Sequence, residues 1–339
     1  MNENIKWFKE AQYGMMIHWG LYSLLAGEYR GQSSSAYAEW IQSKLQIPNA
    51  EYEKLATIFN PIYFDADEIV ALAKTAGMKY LVVTTKHHDG FAMYHSKVDA
   101  YNIYDATPFK RDIIGELAQA CQKAGLKFGI YYSQDLDWHD PNGGGYLSND
   151  IETAGTTWDN SWDFKGPKDF AICFENKIMP QIEEIMTNYG EIATAWFDVP
   201  MTLSDEQSQR IYDTVKKLQP NCLINSRLGN GKYDYVSLGD NEIPQDLTQT
   251  EGEVDYNAVD GLKPSPNGLY ETAATMNDSW GFSYHDQNWK SPQVICDYRK
   301  HLADLGINYL LNVGLDGLGR VPLIARDNLL AAKKLMDEG

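Results

Sequence analysis

The order in which apolar patterns change along the chain constrains its fold more than any other feature. Short runs of continuous apolar and β-branched residues, such as Tyr80 to Thr85, Lys127 to Ser133, Ala193 to Phe197 and Ile307 to Val313, read as strands buried on both faces. Between them the apolar spacing turns helical over 65–76, 112–124, 168–188, 205–218, 292–305 and 322–337, with Gly77 and Gly125 stopping the first two segments. Strand and helix alternate about eight times in 339 residues, which predicts a (β/α)8 barrel. A doubly wound open sheet is the rival, but it announces itself by a Gly-rich phosphate turn after its first strand, and none is present. The reading is one catalytic domain over 1–339, with long segments at 21–49, 135–166 and 245–290.

Charge and composition narrow the partners. With 47 acidic and 29 basic residues the formal net charge is −18, a field that repels phosphate backbones and anionic membranes, so neither nucleic acid nor membrane is an expected partner. The first residues, Met1 to Lys6, carry no basic n-region and no apolar h-region, and no run approaches the roughly 20 apolar residues of a membrane span. Cys121, Cys173, Cys222 and Cys296 lie far apart in apolar or helical patterns, as buried free thiols do. A cytoplasmic protein without disulfides or structural zinc is the expectation.

In a barrel the carboxyl ends of the strands converge on one mouth. The polar residues at those ends are His18, His87, His88, Tyr132, Asp198, Arg227 and Asp240. Asp198 closes the apolar run Thr194-Ala195-Trp196-Phe197. Three histidines with Asp198 could hold zinc, but no HExxH-type or paired His/Cys spacing supports this, and adjacent His87 and His88 on an extended strand would point to opposite faces. A mouth of Trp, Tyr, His and Arg with two acids suits a neutral polyhydroxylated ligand. Rings stack on its apolar face, polar groups bond its hydroxyls, and two carboxylates flank the bond to be hydrolysed. Neither metal nor cofactor is needed for that chemistry.

Several segments resemble the α-L-fucosidases of glycoside hydrolase family 29. They are Gly14-Met15-Met16-Ile17-His18-Trp19-Gly20-Leu21-Tyr22-Ser23, Lys86-His87-His88-Asp89-Gly90-Phe91, Lys110-Arg111-Asp112 with Gly129-Ile130-Tyr131-Tyr132-Ser133, Trp196-Phe197-Asp198, and Asn308-Tyr309-Leu310-Leu311-Asn312-Val313-Gly314. They occur in register over roughly residues 7–336. The resemblance implies a retaining α-L-fucosidase in which Asp198 is the nucleophile of a covalent fucosyl-enzyme. His18, Glu39, Trp40, His87, His88, Tyr132, Trp196, Arg227 and Trp280 would line the fucose pocket. The family's acid/base Glu falls in a segment that here reads Asp234-Tyr235-Val236-Ser237-Leu238-Gly239-Asp240-Asn241-Glu242-Ile243-Pro244. Counting back from Ile-Pro selects Asp240, with Glu242 as rival and Glu271 as an assisting acid.

Many family members continue into a carboxy-terminal β-sandwich, whereas this sequence ends at Gly339. A single-domain barrel follows, its rim completed by its own loops or by a subunit of a homo-oligomer. Trp158, Trp162, Trp280 and Trp289 are candidates for a lid. The expected substrate is a short fucosylated oligosaccharide or glycoconjugate. Linkage (1,2, 1,3, 1,4 or 1,6), aglycone and the balance of hydrolysis with transfer stay open. A glycosidase for another sugar and a non-catalytic sugar-binding barrel are the alternatives.

Overall fold

The computed structural model describes residues 3–34, 37–147, 157–246 and 264–338. Among these, eight parallel strands form one curled sheet: β1 Tyr13–His18, β2 Tyr80–Lys86, β3 Lys127–Ser133, β4 Thr194–Asp198, β5 Leu223–Ile224, β6 Val236–Ser237, β7 Tyr270–Thr275 and β8 Ile307–Gly314. Their spatial order is β5-β4-β3-β2-β1-β8-β7-β6, and a single parallel bridge between Asn225 and Tyr235 joins the two ends. The architecture is that of a (β/α)8 barrel, as expected, its seam held by that bridge and by side-chain bonds, with Asp234 Oδ2 accepting the Ile224 N–H and Ser226 Oγ accepting the Ser237 N–H.

Helices Ala66–Thr75, Ile113–Ala124, Asp205–Leu218, Pro292–Asp304 and Leu323–Glu338 cover the sheet. Their starts are set by local chemistry. Asp65, Asp112 and Ser204 sit in extended backbone and accept the N–H of Glu68, Gly115 and Gln207, each satisfying a donor that the first helical turn leaves open. Gly125 ends its helix at φ 75°, a left-handed conformation that side chains disfavour. The helical pattern at 168–188 is built from Phe170–Cys173, a π-helical turn Phe174–Ile178, and Met179–Asn188. Between β5 and β6 there is only a 3-10 turn, Ser226–Leu228, so this crossover carries no helix.

Side-chain alternation sorts each strand into two layers. Met16, Val82, Tyr131, Trp196, Ala273 and Leu310 fill the barrel, while Ile17, Val83, Tyr132, Phe197 and Leu311 pack outward under the helices. The amino-terminal helix Glu3–Ala11 plugs the far end, where the Phe8 ring lies 4.7 Å from that of Tyr235 and 6.3 Å from that of Tyr80. With that end closed by apolar rings, only the carboxyl mouth is left for polar chemistry. No described helix is long and apolar enough to cross a membrane.

Candidate active site

Asp198 is the last residue of β4, and its two oxygens have different partners. Oδ1 accepts Arg227 Nη1 at 3.1 Å, and Oδ2 accepts the Tyr131 hydroxyl at 2.9 Å. Arg227, in the turn after β5, extends its Nη2 to Asp240 Oδ1 at 2.6 Å and to the Leu238 carbonyl at 2.9 Å. One buried guanidinium therefore grips both candidate acids. It lies over the Trp196 ring, 4.7 Å from its centroid, where the electron-rich face favours a cation. The two acids keep some contact with solvent, 13% and 17% exposed, against 2% for the arginine.

The histidine tautomers follow from their partners. Ser133 Oγ donates to the Leu136 carbonyl (2.8 Å), so His88 Nδ1, 2.7 Å from that oxygen, must donate to it. Burial holds His88 neutral, with Lys86 the next cause, so His88 Nε2 is an acceptor, 3.8 Å from Asp198 Oδ2. Two acceptors facing each other invite a hydroxyl between them. His18 is built alike: Asn312 Nδ2 donates to the Trp280 carbonyl (2.7 Å), leaving Asn312 Oδ1 to accept from His18 Nδ1 at 2.8 Å. Rings close the pocket. His18 lies 5.1 Å from Trp280, His87 stacks on Tyr131 at 5.6 Å, and Trp40 sits 4.9 Å from His88. Buried Glu39 accepts the Gly281 N–H at 2.8 Å, and burial pushes its carboxyl up to about 7. Glu39 Oε1 and His87 Nδ1 are buried with no hydrogen-bond partner among the described residues. Ligand hydroxyls would satisfy them.

The structure thus brings together His18, Glu39, Trp40, His87, His88, Trp196, Asp198, Arg227, Asp240 and Trp280. Tyr132 is not among them. It faces outward, its hydroxyl on Gln181 at 2.8 Å, and Tyr131 takes the inward place beside Asp198. The register of β3 against β4 decides this: Ser133 pairs with inward-facing Asp198 at the barrel rim, so alternation turns Tyr131 inward and Tyr132 outward. His87 and His88 also depart from expectation. β2 ends at Lys86, so they leave the alternating strand and both rings turn to the mouth with centroids 4.1 Å apart. Glu242 folds back on its own turn, Oε2 accepting the Gly239 N–H at 2.8 Å. Glu271 lies deeper in the barrel on β7, inside the long segment 245–290. It accepts Tyr80 OH (2.6 Å) and Trp196 Nε1 (3.0 Å), and so supports the pocket floor instead of meeting Asp198 or Asp240. Trp158 and Trp162 pack in a cluster with Trp138, Leu136 and Val199, whereas Trp289 lies against the outer core. No group of three or more His, Cys, Asp or Glu among the described residues is arranged to hold a metal ion.

A family model described as α-L-fucosidase matches residues 1–338. The chain belongs to the α-L-fucosidase family. It is by that membership a glycoside hydrolase. The tissue α-L-fucosidase of Rattus norvegicus is 27% identical over 352 residues, covering 97% of this chain and 67% of the relative. The chain spans about two thirds of the length of such curated relatives. Among solved structures, the α-L-fucosidase AlfC of Lactobacillus casei in complex with its α-L-fucose product is 77% identical, with a TM-score of 0.92 and 99% of each chain covered. A variant of AlfC in complex with Fucα(1,6)GlcNAc is 76% identical, with the same TM-score and coverage.

If Asp198 is the nucleophile, as the resemblance implies, its protonation state sets the acid side of the pH profile. Burial raises its carboxyl to about 6; Arg227 opposes the rise and the charge of Asp240 adds to it. A nucleophile must be ionised, so kcat/KM is expected to fall by about tenfold per pH unit once the pH drops below that value. Steady-state kinetics on 4-nitrophenyl α-L-fucoside across the acid range checks this, and a profile flat to about pH 4, the ordinary carboxylate range, would contradict the assignment.

Proposed function

We propose that this chain is a retaining α-L-fucosidase that releases terminal α-L-fucose from short glycans, Fucα(1,6)GlcNAc among them, through a covalent fucosyl-enzyme. The observation that carries the reading is the single arginine gripping both Asp198 and Asp240 at the mouth. Two carboxyls held on one guanidinium can flank one glycosidic bond, the arrangement that retaining hydrolysis uses with its acids about 5–5.5 Å apart. The complex of the similar AlfC with Fucα(1,6)GlcNAc supports the choice of linkage.

In the first step Asp198 attacks the anomeric carbon while Asp240, as the acid, gives its proton to the departing glycosidic oxygen. The C1–O bond breaks and an ester to Asp198 forms. That ester is neutral, so Asp240 ionises without facing a second carboxylate, and Arg227 is free to stabilise its charge. In the second step Asp240 takes a proton from water as the water attacks the same carbon, and Asp198 leaves as a carboxylate. His18 and His88 present acceptor nitrogens to sugar hydroxyls, and the rings of Trp40 and Trp280 offer apolar contact, which a deoxy sugar with a methyl at C5 can use.

The test is hydrolysis of 4-nitrophenyl α-L-fucoside and Fucα(1,6)GlcNAc, with the first-formed anomer followed by NMR. First release of α-fucose is expected. Initial release of β-fucose would remove the covalent intermediate, and turnover of an α-D-galactoside in preference to the fucoside would move the enzyme to another sugar. Fucose binding without turnover would point to a non-catalytic barrel.

A further inference from the structure

We infer that Gln134 is a positioning residue for the catalytic centre, its carboxamide clamping the backbone of the nucleophile to the backbone of the arginine that grips both acids. The inference rests on the assignment of Asp198 as nucleophile. Gln134 follows β3 directly and is fully buried. The Asp198 backbone N–H donates to its Oε1 at 2.8 Å, and its Nε2 donates to the Arg227 carbonyl at 3.0 Å. A backbone N–H can only donate and a carbonyl can only accept, so both ends of the amide are assigned without ambiguity.

The need for such a clamp is visible in the sheet. β4 and β5 pair only at Thr194 with Leu223 and Ala195 with Ile224, so the ladder stops short of the residues that do the chemistry. Two buried amides continue it. Asn225 spans Phe197, accepting its N–H at 2.8 Å and donating to its carbonyl at 2.9 Å, and Gln134 then takes the next residue, Asp198, and ties it to Arg227. Immediately beyond, Val199 stands at φ 53°, a left-handed conformation that a β-branched side chain rarely adopts. The bond to Gln134 is thus the last anchor on the nucleophile's backbone before a strained turn. The segment continues in the same manner, with Asp135 Oδ2 accepting the Leu203 N–H at 2.8 Å and the Trp138 N–H donating to the His88 carbonyl at 2.7 Å. A carboxamide suits the place because it offers one donor and one acceptor without charge. An ionised carboxylate there would turn only lone pairs to the Arg227 carbonyl, and a thioether could replace neither bond.

The test compares Gln134→Met and Gln134→Glu with wild type and Asp198→Ala on 4-nitrophenyl α-L-fucoside. Gln134→Met is expected to lower kcat by about 100-fold with the inhibition constant of free fucose changed by less than about threefold, because displacement of reacting groups costs rate more than ground-state binding. For Gln134→Glu the ratio of its kcat to that of wild type should rise by about tenfold from roughly pH 8 to roughly pH 5, since a protonated carboxyl again offers one donor and one acceptor. Taking the ratio removes the titration common to both proteins, that of Asp198 with Tyr131, His88, Arg227 and Asp240 around it. A Gln134→Met kcat within about threefold of wild type, or a flat Gln134→Glu ratio, would overturn the inference. Should Gln134→Met not fold, the ratio decides alone. If Asp198→Ala keeps full activity, the proposed function fails instead; if Asp198→Ala is inactive while Gln134→Met keeps its kcat, only the role of Gln134 falls.

Discussion

Replacing Asp198 by Ala is expected to lower kcat on 4-nitrophenyl α-L-fucoside by roughly three to five orders of magnitude, the scale on which loss of a covalent nucleophile acts. The carboxylate is removed from the position that Arg227 and Tyr131 define, at 3.1 and 2.9 Å, and no neighbouring group can take its place. His88 is neutral and hydrogen-bonded through Nδ1, and Glu271 is engaged below with Tyr80 and Trp196. The space left accepts azide, whose charge Arg227 would attract. Azide should therefore restore turnover and yield β-fucosyl azide, the product of one inverting displacement. A variant that keeps more than about a hundredth of wild-type kcat, measured on purified folded protein, would show that Asp198 is not the nucleophile.

The Asp240→Ala variant has the second largest expected effect, and its size should depend on the leaving group. Departure of GlcNAc from Fucα(1,6)GlcNAc needs a proton, so kcat there should fall by about 10³-fold or more. Nitrophenolate leaves without one, so the first step on the aryl fucoside should survive while hydrolysis of the ester slows for want of a base. Intermediate then accumulates, and KM falls along with kcat. Azide needs no base and should release α-fucosyl azide, with the configuration of the substrate retained. Glu242→Ala removes an acceptor for the Gly239 N–H and should cost less than about tenfold. Were the leaving-group dependence and the α-fucosyl azide to appear in Glu242→Ala instead, the acid/base would move two residues along the turn.

Both variants probe an arrangement that was partly legible before any coordinates. The barrel could be read because buried parallel strands need continuous apolar runs and their covering helices need a different period. Asp198 could be read because a carboxylate ending such a run, as at Thr194 to Phe197, lies at a barrel mouth. Asp240 emerged from a count along a motif, and the structure places it on the same arginine as Asp198. Trp40 and Glu39 were legible only through resemblance, since nothing in the residues 21–49 alone says which side of the loop meets His88.

What sequence by itself determined here is periodicity, composition and the order of motifs: the (β/α)8 class, the family, and the strand ends from which an active site had to be drawn. What the tertiary structure decided is which face each side chain takes and which distant residues share a bond. Tyr131 and Tyr132 differ by one position, and only the register of β3 against β4 shows that the first reaches Asp198 while the second meets Gln181. Glu271 and Glu242 carry the same group as a catalytic acid, yet one is held beneath Trp196 and the other in its own turn. Gln134 has no sequence signal at all, because its role depends on two backbone groups 64 and 93 residues away. The physical reason is common to all of these. Hydrophobic periodicity is a local property written into consecutive residues, whereas hydrogen bonds between strand tips form only once the closed sheet has brought them within about 3 Å of one another.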